Sequence, residues 1–298
     1  MVFRKVLAKL GKGAAQVDLV LSKPEISLGE QLEGELVIQG GTITQEINKI
    51  DVDFMIQIQN DEHQHTELVH RIPLHTAFTI QAGEHKTCPF SFDIPENLLL
   101  SGAYISYYFK TRLDIADGVD SLDHDAIQIL APARLKHVFI ALEKLGFREK
   151  VDSRSIEDGM QEFEFGPLAP RPDGVKEVEF YAVLEDDGIM LFMEVEKVDG
   201  FIEQEFKQNV WIDNEMLMDI DQLVVFMENL LQSNGHFVNP SVFQKKDFYH
   251  RYFSGSKGAV GAFIAGVLAA EIFEDVIEDA FEELMEEEED EEVEEEEL

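Results

Sequence analysis

Residues 50–59, IDVDFMIQIQ, decide the fold class of this chain. Apolar Ile50, Val52 and Phe54 alternate with Asp51 and Asp53, and the alternation continues to the end of the stretch. Successive side chains of a β-strand point to opposite faces of its sheet. Strict period-two alternation of this kind therefore predicts a strand with one buried and one solvated face.

Working outward from that strand, similar runs fill residues 16–130. Apolar residues alternate near residues 17–21, 32–38, 67–72, 78–80, 88–94, 107–115 and 126–130. Turn signals such as Gly40-Gly41 separate the runs, and Pro89 favours an edge strand or a bulge for its own run. About eight short strands with frequent turns favour a β-sandwich over parallel βαβ units. We assign this sandwich to residues 14–131.

Residues 132–250 have a more mixed pattern and form the second predicted domain. Apolar residues recur every three or four positions between 135 and 145, and Gly146 then offers a helix end. Residues 160–166 and 175–198 alternate like strands, whereas residues 215–231 have an apolar helical stripe. The expected content of this domain is strands together with one or two helices.

The charge of the chain is large and unevenly distributed. Its 298 residues include 61 acidic and 24 basic side chains, which give a formal net charge of −37. Residues 271–298 hold 18 of the acids and no Lys or Arg, so residues 1–270 have 43 acids against 24 bases, or −19. Phosphate binding draws its affinity from Lys and Arg. This balance argues against nucleic acid as a partner.

Both ends of the chain have features of interaction segments. We predict a basic amphipathic helix over residues 1–13, a small-residue and then acidic amphipathic helix over 256–285, and a Glu-rich disordered tail over 286–298. The apolar residues of the two helices are the candidate interaction residues: Phe3, Val6, Leu7, Leu10, Phe273, Val276, Ile277 and Phe281.

Three arrangements remain open for the basic N-terminal segment. It could bind a membrane surface, pack against its own domain, or pair with the acidic C-terminal helix of the same or a neighbouring chain. The C-terminal helix could dock on the chain and gate a binding surface, or pair between chains to form a homodimer. Protein partners are expected, without a sequence signal for their identity.

The sequence predicts a soluble cytoplasmic protein. The first residues are interleaved with charges and lack the apolar stretch of a secretory signal. The longest apolar run, residues 258–270, is shorter than the about 20 residues that a membrane-spanning helix needs. Cys88 is the one cysteine of the chain, which rules out an intramolecular disulfide.

Few residues suggest chemistry. His63 and His65 would share one face of a strand with Glu67 nearby, which makes these three the candidates for a metal site. The alternative is a solvated hairpin tip, and because a tetrahedral site needs three or four converging ligands we predict no metal. The sequence has no GxSxG, HExxH, P-loop or Rossmann glycine pattern. We therefore expect no cofactor and no catalytic residues.

The order of several motifs resembles a known family. Gly29, Leu32 and Gly34 are followed by residues 83–95, GEHKTCPFSFDIP, and then by the LDIAD stretch at 113–117. This order is similar to the amino-terminal half of arrestin-like sandwiches. The segments LEKLGF at 142–147 and QEFEFGP at 161–167 narrow the resemblance to bacterial sporulation-control proteins of the stage-zero M type.

This resemblance covers about residues 16–212 and has consequences for fold and function. It implies a mainly β protein of two tandem arrestin-like β-sandwich domains. It also implies a non-enzymatic, cytoplasmic regulatory protein or adaptor that acts through protein–protein interaction. The alternative is a peripheral membrane-associated adaptor that residues 1–13 anchor. Residues 257–298 are outside the matching motifs, so no function is transferred to them.

Overall fold

The computed structural model describes residues 13–59, 64–116, 118–157, 160–199 and 202–232. In these ranges the protein is mainly β, which confirms the mainly β class predicted from the sequence. The tandem arrangement of two arrestin-like sandwiches stays a prediction. No helix in the described ranges is long and apolar enough to cross a membrane. The chain divides into two compact units: unit 1 comprises Met1–Glu96 and Ile105–Leu130, and unit 2 comprises Asn97–Tyr104 and Ala131–Leu298.

Unit 1 contains eight strands in its described residues, in agreement with the sequence pattern. They are β1 Gln16–Leu21, β2 Glu25–Ser27, β3 Gln31–Gln39, β4 Gln45–Gln59, β5 Gln64–Ile80, β6 His85–Asp93, β7 Ile105–Ile115 and β8 Ser121–Leu130. One sheet has the order β1-β3-β6 and the other β2-β8-β7-β4-β5. All pairs are antiparallel except β2 with β8.

Aromatic side chains from both sheets form the core of unit 1. Phe54 of β4 stacks on Tyr107 and Phe109 of the neighbouring β7, with ring centroids 5.5 and 4.8 Å apart. Phe92 of β6, in the other sheet, lies 5.3 Å from the Phe54 ring. Contact between rings of the two sheets shows that the sheets pack face to face as a sandwich.

The strand at residues 50–59 has the predicted alternation, with one exception. Ile50, Val52 and Phe54 are fully buried, as expected. Asp51 is buried too, although the pattern places it on the outer face. Lys49 and Arg112 lie 2.7 and 3.5 Å from its Oδ2. Burial raises the pKa of the Asp51 carboxyl, but the Lys49 hydrogen bond and the charges of Lys49, Arg112 and Arg71 outweigh burial and lower it.

Unit 2 has one sheet and three helices in its described residues. The strands are β9 Phe147–Glu149, β10 Ile156–Glu157, β11 Met160–Pro167, β12 Val175–Leu184, β13 Gly188–Asp199 and β14 Ile202–Asp213. Their order is β10-β11-β12-β13-β14, and β9 also pairs with β11. The helices are α1 Ala133–Lys144, α2 Asn214–Met218 and α3 Ile220–Gln232.

Helix α1 confirms the helical pattern read between residues 135 and 145. Gly146 follows the helix with φ +85°, a conformation that L side chains rarely adopt, and its N–H donates to the Glu143 carbonyl. Phe139 lies in the middle of α1, and its ring centroid is 5.2 Å from Phe163 and 5.5 Å from Phe165. The apolar stripe of α1 therefore packs on the sheet of unit 2.

The structure differs from the sequence expectation in three elements. Residues 215–231 form two helices, because Asp219 adopts extended backbone angles and accepts a hydrogen bond from Gln222 N as the cap of α3. Strand β5 runs unbroken through residues 67–72 and 78–80, which the sequence pattern separates. Strand β14 was not predicted from the sequence.

Candidate functional site

The structure places two of the three metal candidates. His65 and Glu67 both lie on β5, and His65 Nε2 is 2.6 Å from Glu67 Oε1. His63 lies outside the described residues. His65 and Glu67 alone are too few ligands for the tetrahedral arrangement that zinc prefers, and they are paired with each other. The expectation of no metal at this hairpin remains a prediction.

The candidate interaction residues at the two ends also lie outside the described ranges. This holds for the N-terminal segment with Phe3, Val6, Leu7 and Leu10. It holds equally for the C-terminal set of Phe273, Val276, Ile277 and Phe281. The roles predicted for both segments stay predictions.

A cluster of three carboxylates lies where β1 and β8 face each other in unit 1. Oxygens of Asp18, Asp123 and Asp125 are all within 4.8 Å of one another. Asp18 is exposed, whereas the other two are half-buried. Asp125 Oδ2 is buried and has no hydrogen-bond partner among the described residues. Burial, then the hydrogen bond and charge of Asp123, then the charge of Asp18, raise the pKa of Asp125 to about 7.

Side chains of β8 occupy the edge of β1 beside this cluster. Asp123 Oδ2 accepts a hydrogen bond of 2.8 Å from Leu19 N, and Ser121 Oγ accepts one of 3.3 Å from Val17 N. These are backbone donors that a neighbouring strand would otherwise bond. The edge of β1 is therefore closed by side chains of its own unit.

A second carboxylate cluster in unit 2 surrounds a lysine. Oxygens of Glu164, Glu177 and Glu179 lie within 4.8 Å of one another. Lys150 Nζ is 3.2 Å from Glu164 Oε2 and also contacts Glu177. An ammonium group among these carboxylates takes the place that a cation would need. We therefore assign the cluster a structural role.

Strand β14 is the edge of the unit 2 sheet in the described part of the chain. It is 12 residues long and pairs with β13 in one uninterrupted register from Gly188 with Asp213 to Asp199 with Ile202. A long, regular edge presents unpaired backbone groups that can bond a further strand.

The hydrogen bonds of β13 show which groups of β14 point outward. Val198 N donates to Gly174 O, so its backbone faces away from β14. The directions of the backbone N–H and carbonyl groups alternate along a strand. Those of Lys197 therefore face its β14 partner Gln204. By the same alternation, Glu205 has its backbone N–H and carbonyl on the outer edge, as have residues 203, 207, 209 and 211.

The other outer strands are less suited to strand pairing. Strand β6 contains Pro89, which has no N–H, as the sequence led us to expect for an edge. Strand β5 contains Pro73 and has two register shifts against β4. These are features with which proteins protect sheet edges. Strand β14 has neither a proline nor a bulge in its pairing with β13.

Exposed apolar groups lie at the two ends of the β14 edge. Ile202 is 62% exposed at its start and Trp211 39% exposed near its end. Between them, Glu203, Glu205 and Lys207 bring charge to the edge. The edge therefore combines unpaired backbone, apolar anchors and charged positions, which together can bind an extended peptide and select its sequence.

A sequence signal for β14 exists but is weak. Phe206, Val210 and Ile212 alternate with polar residues, as in the other strands. Gln204 and Gln208 interrupt the apolar series, although Gln208 is buried in the structure. Polar residues at inward positions hide the period of two. A period-two pattern in which glutamine is accepted at buried positions would have predicted this strand.

Comparisons with known proteins give one consistent result. The sequence profile of a family described as SpoOM protein matches residues 3–199. The sporulation-control protein spo0M of Bacillus subtilis (strain 168) is 30% identical over 252 residues, which cover 77% of this chain and 97% of the relative. A crystal structure of Spo0M from Bacillus subtilis superposes with a TM-score of 0.58 at 29% identity, covering 74% of this chain and 98% of that chain.

Proposed function

The chain belongs to the SpoOM family, and we propose that it is a cytoplasmic regulatory protein of the sporulation-control type that acts through protein–protein contacts. The family relationship supports the regulatory role. The geometry of β14 supports the mode of action, because a regular edge without proline or bulge can accept an extended segment of a partner. On this proposal the protein binds partners and catalyses no reaction.

A single substitution in β14 tests the mode of action. Proline at position 205 removes one outward N–H and adds a ring at the edge, while the bonds to β13 come from the neighbouring residues. We expect Glu205→Pro to lose partners that the full-length protein retains in affinity purification from its native cell. Glu205→Ala is the matched control, since it removes the same charge and keeps the N–H. Identical partners for both variants would contradict binding at this edge.

A membrane-associated adaptor is the second candidate function. Residues 1–13 hold Arg4, Lys5, Lys9 and Lys12 with no acid, interleaved with apolar residues. Basic amphipathic segments of this kind bind anionic membrane surfaces. Co-sedimentation with anionic liposomes, with and without residues 1–13, separates the two functions. Co-sedimentation with liposomes that is lost when residues 1–13 are removed would favour the membrane-associated function.

Pairing between chains is a further part of the proposal. Apolar pairs recur every four residues between 272 and 285, with acidic residues between them, which gives a narrow apolar stripe. This stripe could pair with that of a second copy and form a homodimer. Sedimentation of the full chain and of a chain without residues 271–298 gives the oligomeric state of each. The same oligomeric state for both chains would argue against this dimer.

A further inference from the structure

The sheet of unit 2 has two faces, and helix α1 covers one of them. Phe163, Phe180 and Met193 are cross-strand partners in β11, β12 and β13, so they share a face. Phe139 of α1 contacts the first two of these rings at 5.2 and 6.2 Å. We call this side the helix face and the opposite side the second face.

Large apolar residues of the second face are also buried. Tyr181 of β12 and Phe192 of β13 are cross-strand partners with ring centroids 6.2 Å apart, and they are 1% and 0% exposed. Met160 and Val183 join them in one buried cluster, with Met190 partly buried beside it. A sheet face in contact with water would expose such side chains. The second face must therefore be covered, and α1 lies on the other side.

Carboxylates on this face are buried as well. Glu162 is 8% exposed and accepts a hydrogen bond of 2.5 Å from Tyr181 Oη. Glu194 is also 8% exposed, with Lys207 Nζ 3.2 Å from its Oε2. Burial raises the pKa of the Glu194 carboxyl. Protein atoms, and not bulk water, must surround these groups.

The charges of the second face are arranged in two acidic rows. Glu164, Glu179 and Glu194 are successive cross-strand partners in β11, β12 and β13, and Lys207 follows them in β14. The next row contains Glu177, Glu196 and Glu205. Among the described residues, the two rows contain six glutamates, and Lys150, Lys176 and Lys207 contact members of them. Like charges opposite one another destabilise a sheet, so a basic cover would be favoured.

One segment of the chain has the matching chemistry. Residues 237–253, FVNPSVFQKKDFYHRYF, contain six aromatic residues, three Lys or Arg and a single acid. Such a composition is unusual in a chain with 61 acidic and 24 basic residues. The segment begins five residues after the end of α3 at Gln232. At about 3.3–3.6 Å per residue, the chain from Gln232 to Phe237 spans at most about 17 Å.

We infer that residues 237–253 bind the second face of the unit 2 sheet, with their aromatic side chains on the Tyr181–Phe192 cluster and their cations on the two glutamate rows. The apolar contact accounts for the burial of the cluster. The cations offset the repulsion between the glutamates. Partner binding at the β14 edge uses the outward backbone groups of that strand, and Glu205 and Lys207 border both surfaces.

Methionine oxidation by hydrogen peroxide, read by mass spectrometry, tests the inference in the full-length protein. The triple variant Phe248→Ser, Tyr249→Ser and Phe253→Ser removes three aromatic groups from the proposed cover. We expect Met160 and Met190 to oxidise severalfold faster in this variant than in the unsubstituted chain, because both lie on the second face. Oxidation rates that stay unchanged at both methionines would overturn the inference.

Internal and external controls separate uncovering from unfolding. Met193 and Met227 are fully buried, Met193 on the helix face and Met227 in α3, and both should stay protected in the variant. A matched variant, Phe263→Ser, Phe273→Ser and Phe281→Ser, removes three aromatics elsewhere in the chain and should leave Met160 protected. Faster oxidation in this matched variant would overturn the inference too.

A charge variant keeps the test decisive if the aromatic variant unfolds. Lys245→Glu, Lys246→Glu and Arg251→Glu reverse the cations and leave the aromatic groups in place. Under the inference, Met160 and Met190 become more reactive in this variant at low salt while Met193 stays protected. High salt should reduce the difference, because it screens the repulsion from the glutamate rows. Equal protection of Met160 at low and high salt would contradict the proposed contact.

Discussion

Replacing Asp125 with asparagine should make unit 1 more stable at neutral and alkaline pH. Oxygens of Asp125, Asp123 and Asp18 lie within 4.8 Å of one another, and the pKa of Asp125 is raised to about 7. A carboxyl whose pKa is higher in the folded than in the unfolded chain binds more protons when folded. The contribution of this carboxyl to the free energy of unfolding is therefore fully present at low pH. It is lost as the pH rises from about 4 to about 7.

The size of the effect follows from the pKa values. A rise from 3.8 to about 7 corresponds to a loss of at most about 4 kcal/mol between the two limits. Asp18 is exposed and Asp125 only half-buried, so solvent screens the repulsion. We expect a loss of about 1–2 kcal/mol in the native protein on passing from pH 5 to pH 8. Asparagine cannot ionise, and the Asp125→Asn protein should lack this loss.

Hydrogen exchange of β1 and β8 peptides measures the effect in unit 1 itself. Protection factors are compared at pH 5 and pH 8 after correction for the intrinsic pH dependence of exchange. Asp18→Asn is the matched control, since it removes one exposed charge of the same cluster and should have a smaller effect. The reasoning is refuted if the native protein and the Asp125→Asn protein lose the same protection between the two pH values.

Three further predictions concern the core, the second face and the metal candidates. Phe54→Ala should lower the free energy of unfolding of unit 1 by about 3–5 kcal/mol, because the ring is fully buried among aromatic neighbours; urea unfolding followed by circular dichroism measures it, and a loss below about 1 kcal/mol would contradict the packing. Tyr181→Phe should lower the free energy of unfolding of unit 2 by about 1.5–3 kcal/mol, because Glu162 loses a buried hydrogen-bond donor. Fluorescence of Trp211, the single tryptophan, during urea unfolding measures the change, and an unchanged midpoint would contradict a stabilising role of that hydrogen bond. Calorimetric titration of micromolar protein with zinc should give no heat of binding. The control is the double variant His63→Ala and His65→Ala. Heat of binding that is absent from this control would contradict the prediction and indicate a metal site at these residues.

Local sequence patterns predicted the elements whose burial follows a simple period. Residues 50–59 alternate because β4 has one face on the sandwich core, and that face contains Ile50, Val52 and Phe54. Helix α1 was predictable for the same reason, since one stripe of it packs on the sheet. In both elements the buried positions recur with the period of the strand or the helix, so the amino-acid sequence shows that period.

The prediction failed where polar residues are buried or where the backbone turns within an apolar stretch. Gln208 is buried in β14 and interrupts the period of that strand. Asp219 ends one helix and caps the next, although the apolar stripe continues through it. Asp219 accepts hydrogen bonds from Gln222, whereas Gln208 Oε1 is buried without a hydrogen-bond partner among the described residues. The local pattern encodes neither arrangement.

The sequence by itself determined the β-rich class, the strand-forming runs of unit 1 and the uneven charge of the chain, because periodicity and charge are local properties. The tertiary structure decided which residues meet. Asp18 and Asp123 are distant in sequence, yet β1 and β8 bring them together beside Asp125, where burial and then these two carboxylates raise the pKa of Asp125. Pairing of β11, β12, β13 and β14 likewise aligns glutamates from separate strands into rows. Strand order and register set these contacts, and both depend on the packing of the whole sheet.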